Sequence, residues 1–118
     1  MTVQTKRVYE PLAVTDGKRY LIDRLWPRGL RKESLHLTEW MKEIAPSAGL
    51  RTWFQHEPEK YAVFRERYRA ELESHSDLLD RIASEARSGT VTLLFAARDP
   101  DHCNATVLQE LLAERSHR

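Results

Sequence analysis

The chain has 118 residues, of which 41% are hydrophobic and 31% are charged, and its formal net charge is +1. This length suits one domain with one core, residues 1–118, and the small charge excludes a chain that binds polyanions over its whole surface. One cysteine excludes an internal disulfide and a cysteine-rich zinc site. Without a membrane-length apolar stretch or a signal-peptide core, we expect a cytoplasmic protein with no membrane contact.

Two short strands are predicted first. The first runs from Lys6 to Tyr9, and the second runs from Arg19 to Leu25 and is broken by Pro27. The turn Thr15-Asp16-Gly17 lies between them, because aspartate tolerates the bend and glycine readily adopts a positive φ.

Helical periodicity then predicts a helix over Leu37 to Ala45, with Leu37, Trp40, Met41 and Ile44 on one face and Thr38 as a candidate N-cap. The stretch SAGLRTWFQHEP is expected to form a short helix or turn. Two amphipathic helices follow, over Pro58 to Glu73 and Ser76 to Arg87.

The strongest strand prediction is Thr90 to Ala97, whose apolar end is typical of a strand covered on both faces. A last helix should follow, with Asp99 as N-cap and Pro100 at its first position. Strands alternating with helices predict an α/β fold. We expect a small, mostly parallel sheet of few strands, packed with helices and joined by a βαβ crossover.

The loops after two of these strands, Asp23 to Gly29 and Arg98 to Asn104, are the candidate site. Ligands of open parallel sheets bind outside the carboxyl ends of the strands, and an arginine fork binds phosphate or carboxylate through two hydrogen bonds. The candidate ligand-binding residues are Arg24, Trp26, Arg28, Arg98 and Asn104. The candidate catalytic residues are His102, as an acid–base group, and Asp99.

The arginines have a second interpretation that the sequence leaves equally open. Arg24 would pair with Asp23, Asp99 or Asp101 across the loops, and Arg28 would be solvated. In that case the two arginines would stabilise the loops and bind no ligand.

Three further side chains have both a functional and a structural interpretation. Trp26 could stack on a ligand ring, but a tryptophan packed over the sheet edge is favoured. Cys103 lies near a predicted helix N-terminus, which lowers a thiol pKa, yet free cysteines are usually buried, and we favour a packed side chain. His56 is an acid–base candidate or a plain loop residue. Because no metal-binding spacing is present, we expect no metal and no cofactor.

Several blocks together resemble a known family: RYLIDRLWPRG, EWMKEIAPSAGLRTWFQH, FRERYRAEL, and VTLLFAARD followed by HCNATVLQELL. They resemble the bacterial YeaO-like family, a family of domains of unknown function, over nearly the whole chain. The resemblance implies a compact cytoplasmic α/β domain and implies no particular reaction.

Two functions are therefore expected as alternatives. The first is a site for an anionic or nucleotide-type small molecule, with hydrolysis or transfer as the reaction class if the protein is an enzyme. The second is a non-catalytic module whose basic loop, Arg24 to Lys32, contacts an acidic protein or nucleic acid, with Trp26 as an exposed anchor. The sequence does not decide whether the protein is an enzyme, and it fixes neither the oligomeric state nor the partners.

Overall fold

The computed structural model describes residues 2–116, with only the backbone of residue 116 described. Its centre is a four-stranded sheet in the order β1-β4-β2-β3, in which all neighbouring strands are parallel. The strands are β1 (Thr2–Arg7), β2 (Lys18–Leu21), β3 (Glu39–Trp40) and β4 (Thr90–Phe95). The predicted α/β fold with a small parallel sheet is confirmed.

Helices cover this sheet and supply its long connection. They are α1 (Lys32–Leu35), α2 (Ala48–Phe54), α3 (Tyr61–Leu72), α4 (Ser76–Ser88) and α5 (Asn104–Ser116). Short 3₁₀ segments lie at Val14–Asp16, Lys42–Ile44, Pro58–Lys60 and Glu73–His75. The chain runs from β2 through α1 to its parallel neighbour β3. It then passes through α2, α3 and α4 and returns as β4, the parallel neighbour on the other side of β2, which confirms the predicted crossover. Among the described residues, no helix has the length and apolar character needed to span a bilayer.

The sheet separates two hydrophobic clusters. Because successive side chains of a strand point to opposite faces, Val91, Leu93 and Phe95 of β4 enter the large cluster under α2 to α5, whereas Leu94 enters a smaller one. Val8, Leu21 and Leu35 complete the buried part of the smaller cluster, and Trp26 and Trp40 pack against it. β4 is therefore covered on both faces, as its apolar end predicts.

The helix predicted over Leu37 to Ala45 is wrong. This segment contains β3 and then the 3₁₀ segment Lys42–Ile44. Thr38 does not cap a helix: its N–H donates to Arg19 O at 2.8 Å, and its Oγ1 accepts from Arg19 N at 3.0 Å. The spacing of apolar residues wrongly indicated one buried helix face, because the two adjacent residues lie on opposite sides of the sheet. Trp40 packs against the small cluster, whereas Met41 is buried in the large one.

Several predicted boundaries also need correction. β1 spans Thr2–Arg7 where Lys6 to Tyr9 was expected, and β2 ends at Leu21, four residues before the expected end at Leu25. The last helix begins at Asn104, so Asp99 is not its N-cap. The carboxylate of Asp99 instead accepts the N–H of Asp101 at 3.0 Å and forms a turn before the helix.

Candidate functional site: a cleft at the carboxyl edge of the sheet

A cleft of about 620 Å³ opens where β2 and β4 end. The loop after β2 lines it from Asp23 to Arg28, and the loop after β4 lines it from Ala96 to Asp99. Asn104 at the start of α5, residues at the end of α2 and Phe64 of α3 add to the walls. The two loops selected from strand topology thus border one cavity.

Asp23 joins the two loops. Its Oδ2 accepts the N–H of Ala96 at 2.9 Å, and its Oδ1 accepts from Asn104 Nδ2 at 3.0 Å. The same nitrogen of Asn104 donates to Ile22 O at 3.0 Å, and Trp40 Nε1 donates to Asp23 O at 2.7 Å. Burial raises the pKa of the Asp23 carboxyl, and the hydrogen bonds from Ala96 and Asn104 oppose that shift.

Four arginines line the cleft: Arg24, Arg28, Arg51 and Arg98. Arg24 donates from Nε to Pro46 O at 3.1 Å. Within residues 2–116, no carboxylate forms a salt bridge with any of the four. The alternative in which Arg24 pairs with an aspartate is therefore wrong, and the guanidinium groups leave the cleft rich in positive charge.

Trp26 borders the cleft but is held in place by the protein. Its Nε1 donates to Leu30 O at 2.7 Å, and its ring meets Trp40 edge to face, with 5.3 Å between centroids. It is half-buried against the small cluster. This arrangement agrees with the interpretation of Trp26 as a tryptophan packed over the sheet edge.

The inner wall of the cleft is apolar. Phe54 and Phe64 are buried and stacked, with 4.3 Å between ring centroids and 19° between planes. Cys103 lies beside them with 1% of its surface exposed, and its Sγ contacts Pro100 O at 3.7 Å and Thr106 Oγ1 at 3.5 Å. Burial raises the pKa of the thiol, so Cys103 is a packed neutral side chain and a poor nucleophile at neutral pH.

The two candidate catalytic residues lie in different positions relative to the cleft. Asp99 lines it, whereas His102 is absent from its walls. Nδ1 of His102 lies 2.8 Å from Asp99 Oδ2, and the imidazole packs edge to face on Tyr61 with 5.2 Å between centroids. The hydrogen bond with His102 is the main cause of the lowered pKa of the Asp99 carboxyl. Their contact gives His102 a fixed orientation outside the cavity.

Helix α2 contributes Arg51 and Phe54, which sequence reasoning did not assign to the site. His56, an acid–base candidate from the sequence, lines the cleft just after this helix. Ser47 is the N-cap of this helix: its Oγ accepts Leu50 N at 3.2 Å. Glu71 fixes the cap from α3, accepting Ser47 N at 2.8 Å and Ser47 Oγ at 2.6 Å. The helix is thereby oriented with its carboxyl end at the cleft.

A metal site is not indicated. Within the part of the chain that the structure describes, no group of three or more histidine, cysteine, aspartate and glutamate side chains could hold a metal ion. The polar side chains that line the cleft carry guanidinium, amide, carboxylate and imidazole groups.

Comparison with known proteins agrees with the sequence resemblance. A family model described as the inactive DUF488-N3 subclade matches residues 2–118. The chain belongs to this subclade. It is 47% identical over 112 residues to the uncharacterized protein YeaO of Escherichia coli K12, an alignment that covers 95% of this chain and 97% of that protein. It is 40% identical over 113 residues to the uncharacterized protein Rv3073c of Mycobacterium tuberculosis H37Rv, covering 96% and 95% of the two chains.

This membership confirms the predicted resemblance to the YeaO-like family, whose function is unknown and which has bacterial members. The M. bovis protein Mb3100c, also uncharacterized, is similar at 40% identity. No solved structure matches the chain. The names of these relatives give no ligand and no reaction.

Proposed function

We propose that the cleft binds a small molecule through a phosphate or carboxylate group and that the protein does not transform this ligand. The observation that carries the proposal is the set of four cleft arginines without a carboxylate partner among residues 2–116. An arginine fork forms two charge-assisted hydrogen bonds to such an oxyanion. The volume of about 620 Å³ lies in the usual range for small-molecule sites and admits a nucleotide-type ligand.

Three observations favour binding over hydrolysis or transfer. The subclade is described as inactive. His102, the acid–base candidate, lies outside the cavity against Tyr61. The thiol of Cys103 is neutral and buried. His56 lines the cleft as its remaining acid–base candidate, but four arginines unpaired within residues 2–116, beside a buried thiol, are suited first to sensing or carrying a ligand.

The interaction module remains the second candidate, and one observation favours it. Arg28, Arg31 and Lys32 are exposed, and none of them forms a salt bridge within the described residues. The packing of Trp26 removes the exposed aromatic anchor that this candidate needs. Binding of single-stranded or duplex nucleic acid that weakens steeply with salt would support it.

Location in the cytoplasm also stays a prediction.

Calorimetric titration with inorganic phosphate and sulfate tests the oxyanion site. Arg51 is exposed on α2 and lines the cleft, so Arg51→Gln should weaken binding by roughly tenfold or more, as loss of a hydrogen bond to a charged group does. The matched control is Arg87→Gln, because Arg87 is also exposed, lies on α4 and is not part of the cleft. Binding that is absent in the wild type, or equally weakened by both substitutions, would contradict the proposal.

A further inference from the structure

We propose that His56 is a ligand-binding residue of the cleft, whose imidazole donates a hydrogen bond to the oxyanion and is held in place by a strained turn. This inference rests on the proposed oxyanion site. It adds a side chain of the type that normally changes charge between pH 5 and 8. The backbone of the turn after α2 and the charges that line the cavity both support it.

The turn after α2 has a conformation that its residues do not favour. Gln55 and His56 both lie in the left-handed region, with φ values of 47° and 57°, and Glu57 N donates to Phe54 O at 3.0 Å across them. Two successive positive φ values in such a turn are typical of type I′, which favours asparagine and glycine. Ending the helix requires only the first, because Gln55 N already donates to Arg51 O at 3.1 Å. The positive φ of His56 therefore costs stability that the end of the helix does not require.

This strained turn places an imidazole at the cavity. Among the described histidines, His56 is the one that lines the cleft. Its side chain is exposed, and its ring centroid lies 5.9 Å from that of Phe54, with 56° between planes. Within residues 2–116 it forms no side-chain hydrogen bond, whereas His102 is bound to Asp99. The ring nitrogens of His56 are therefore available to a ligand.

The charges around His56 favour an anion beside it. Burial raises the pKa of the Asp23 carboxyl, and a protonated His56 is close enough to oppose that shift. Both oxygens of Asp23 already accept hydrogen bonds from the protein. A protonated imidazole donates from both nitrogens and accepts from neither, so its attraction for an oxyanion grows as the pH falls. The other charged groups of the cavity come from the loop after β2, from α2 and from the loop after β4: Arg24, Arg28, Arg51, Arg98 and Asp99.

Calorimetric titration with sulfate at pH 6 and pH 8 tests the role of the imidazole. Sulfate is the probe because its own charge is constant over this range. We expect the wild type to bind sulfate roughly tenfold more tightly at pH 6, as one hydrogen bond from a charged donor would give. The variant His56→Gln should bind about tenfold more weakly than the wild type at pH 6 and should lose most of the pH dependence. The control Asp23→Asn should keep the pH dependence, and its loss there would assign the titration to Asp23 and contradict the inference.

Glycine substitutions test the strain. His56→Gly relaxes the backbone and removes the imidazole, so it should raise the melting temperature and weaken sulfate binding. The matched controls are Gln55→Gly in the same turn and His36→Gly, because His36 has φ 49° at the end of α1 and is not part of the cleft. Both controls should raise the melting temperature and leave sulfate binding unchanged. A lower melting temperature for His56→Gly would refute the strain, and unchanged sulfate binding would refute the contact.

The outcomes separate this inference from the proposed function. If Arg51→Gln weakens sulfate binding and both His56 variants bind sulfate as the wild type does at each pH, the oxyanion site stands and the role of His56 is refuted. If the wild type binds neither sulfate nor phosphate, both are refuted.

Discussion

Replacing Asn104 by alanine removes both hydrogen bonds that its side chain donates to the segment after β2. The bond to Ile22 O joins neutral groups and should contribute about 1 kcal/mol, and the bond to the Asp23 carboxylate should contribute roughly 1.5–3 kcal/mol. We therefore expect Asn104→Ala to lower the free energy of unfolding by about 2.5–4 kcal/mol at pH 7. Urea unfolding followed by tryptophan fluorescence measures this loss.

The loss should depend on pH. Burial raises the pKa of Asp23 in the folded protein above its value in the unfolded chain. The protonated carboxyl therefore stabilises the folded state. This contribution is complete below the unfolded pKa and is lost as the pH rises through the folded pKa. The hydrogen bond from Asn104 opposes this shift, so Asn104→Ala should raise the pKa of Asp23 further. The difference in stability between variant and wild type should therefore shrink toward pH 4, where Asp23 is increasingly protonated.

Gln109→Ala is the matched control on the same helix. Gln109 Nε2 donates to Val3 O at 2.8 Å, so its amide also bonds a strand carbonyl but contacts no carboxylate. Its replacement should cost about 1 kcal/mol, with no dependence on pH between 4 and 7. Equal and pH-independent losses in the two variants would refute the role assigned to the Asn104–Asp23 bond.

Three further predictions concern single positions. Gly17→Ala should leave little folded protein by circular dichroism, because Gly17 has φ +62° and an added Cβ would lie 2.1 Å from Thr90 O. Ser47→Ala should lower stability in urea by about 1–2 kcal/mol, because it removes the N-cap of α2 and the hydroxyl bound to Glu71. Cys103 should react with a disulfide reagent at pH 8 far more slowly in the native protein than in urea, since it is buried and its pKa is raised; equal rates would contradict this.

Prediction from sequence succeeded where a pattern had one structural meaning. The apolar end of β4 indicated a strand covered on both faces, and the amphipathic spacing in α3 and α4 placed Phe64 and Ile82 in the core. Prediction failed at β3 and the residue after it. Trp40 and Met41 point to opposite faces of the sheet, but their spacing in the sequence resembles that of one helix face. A strand of two residues is too short for its alternation to be recognised.

The candidate site was also only partly predictable. The rule for carboxyl ends of parallel strands selected the loops of Arg24 and Arg98, which both line the cleft. Arg51 and Phe54 were missed, because helical spacing shows which face of α2 is buried but not which end of the sheet the helix reaches. The orientation of His102 toward Tyr61 depends on a contact between α3 and the loop before α5, which no local pattern encodes.

The position of β4 between β1 and β2 has a consequence for synthesis of the chain. In the sheet register, Thr2 is paired with Thr90, so β1 has no strand partner until the chain has been translated as far as β4. At about 5–20 residues per second, β1 must wait roughly 4–18 seconds after its own synthesis. A chain that terminates before residue 90 therefore lacks both the central strand and one wall of the cleft.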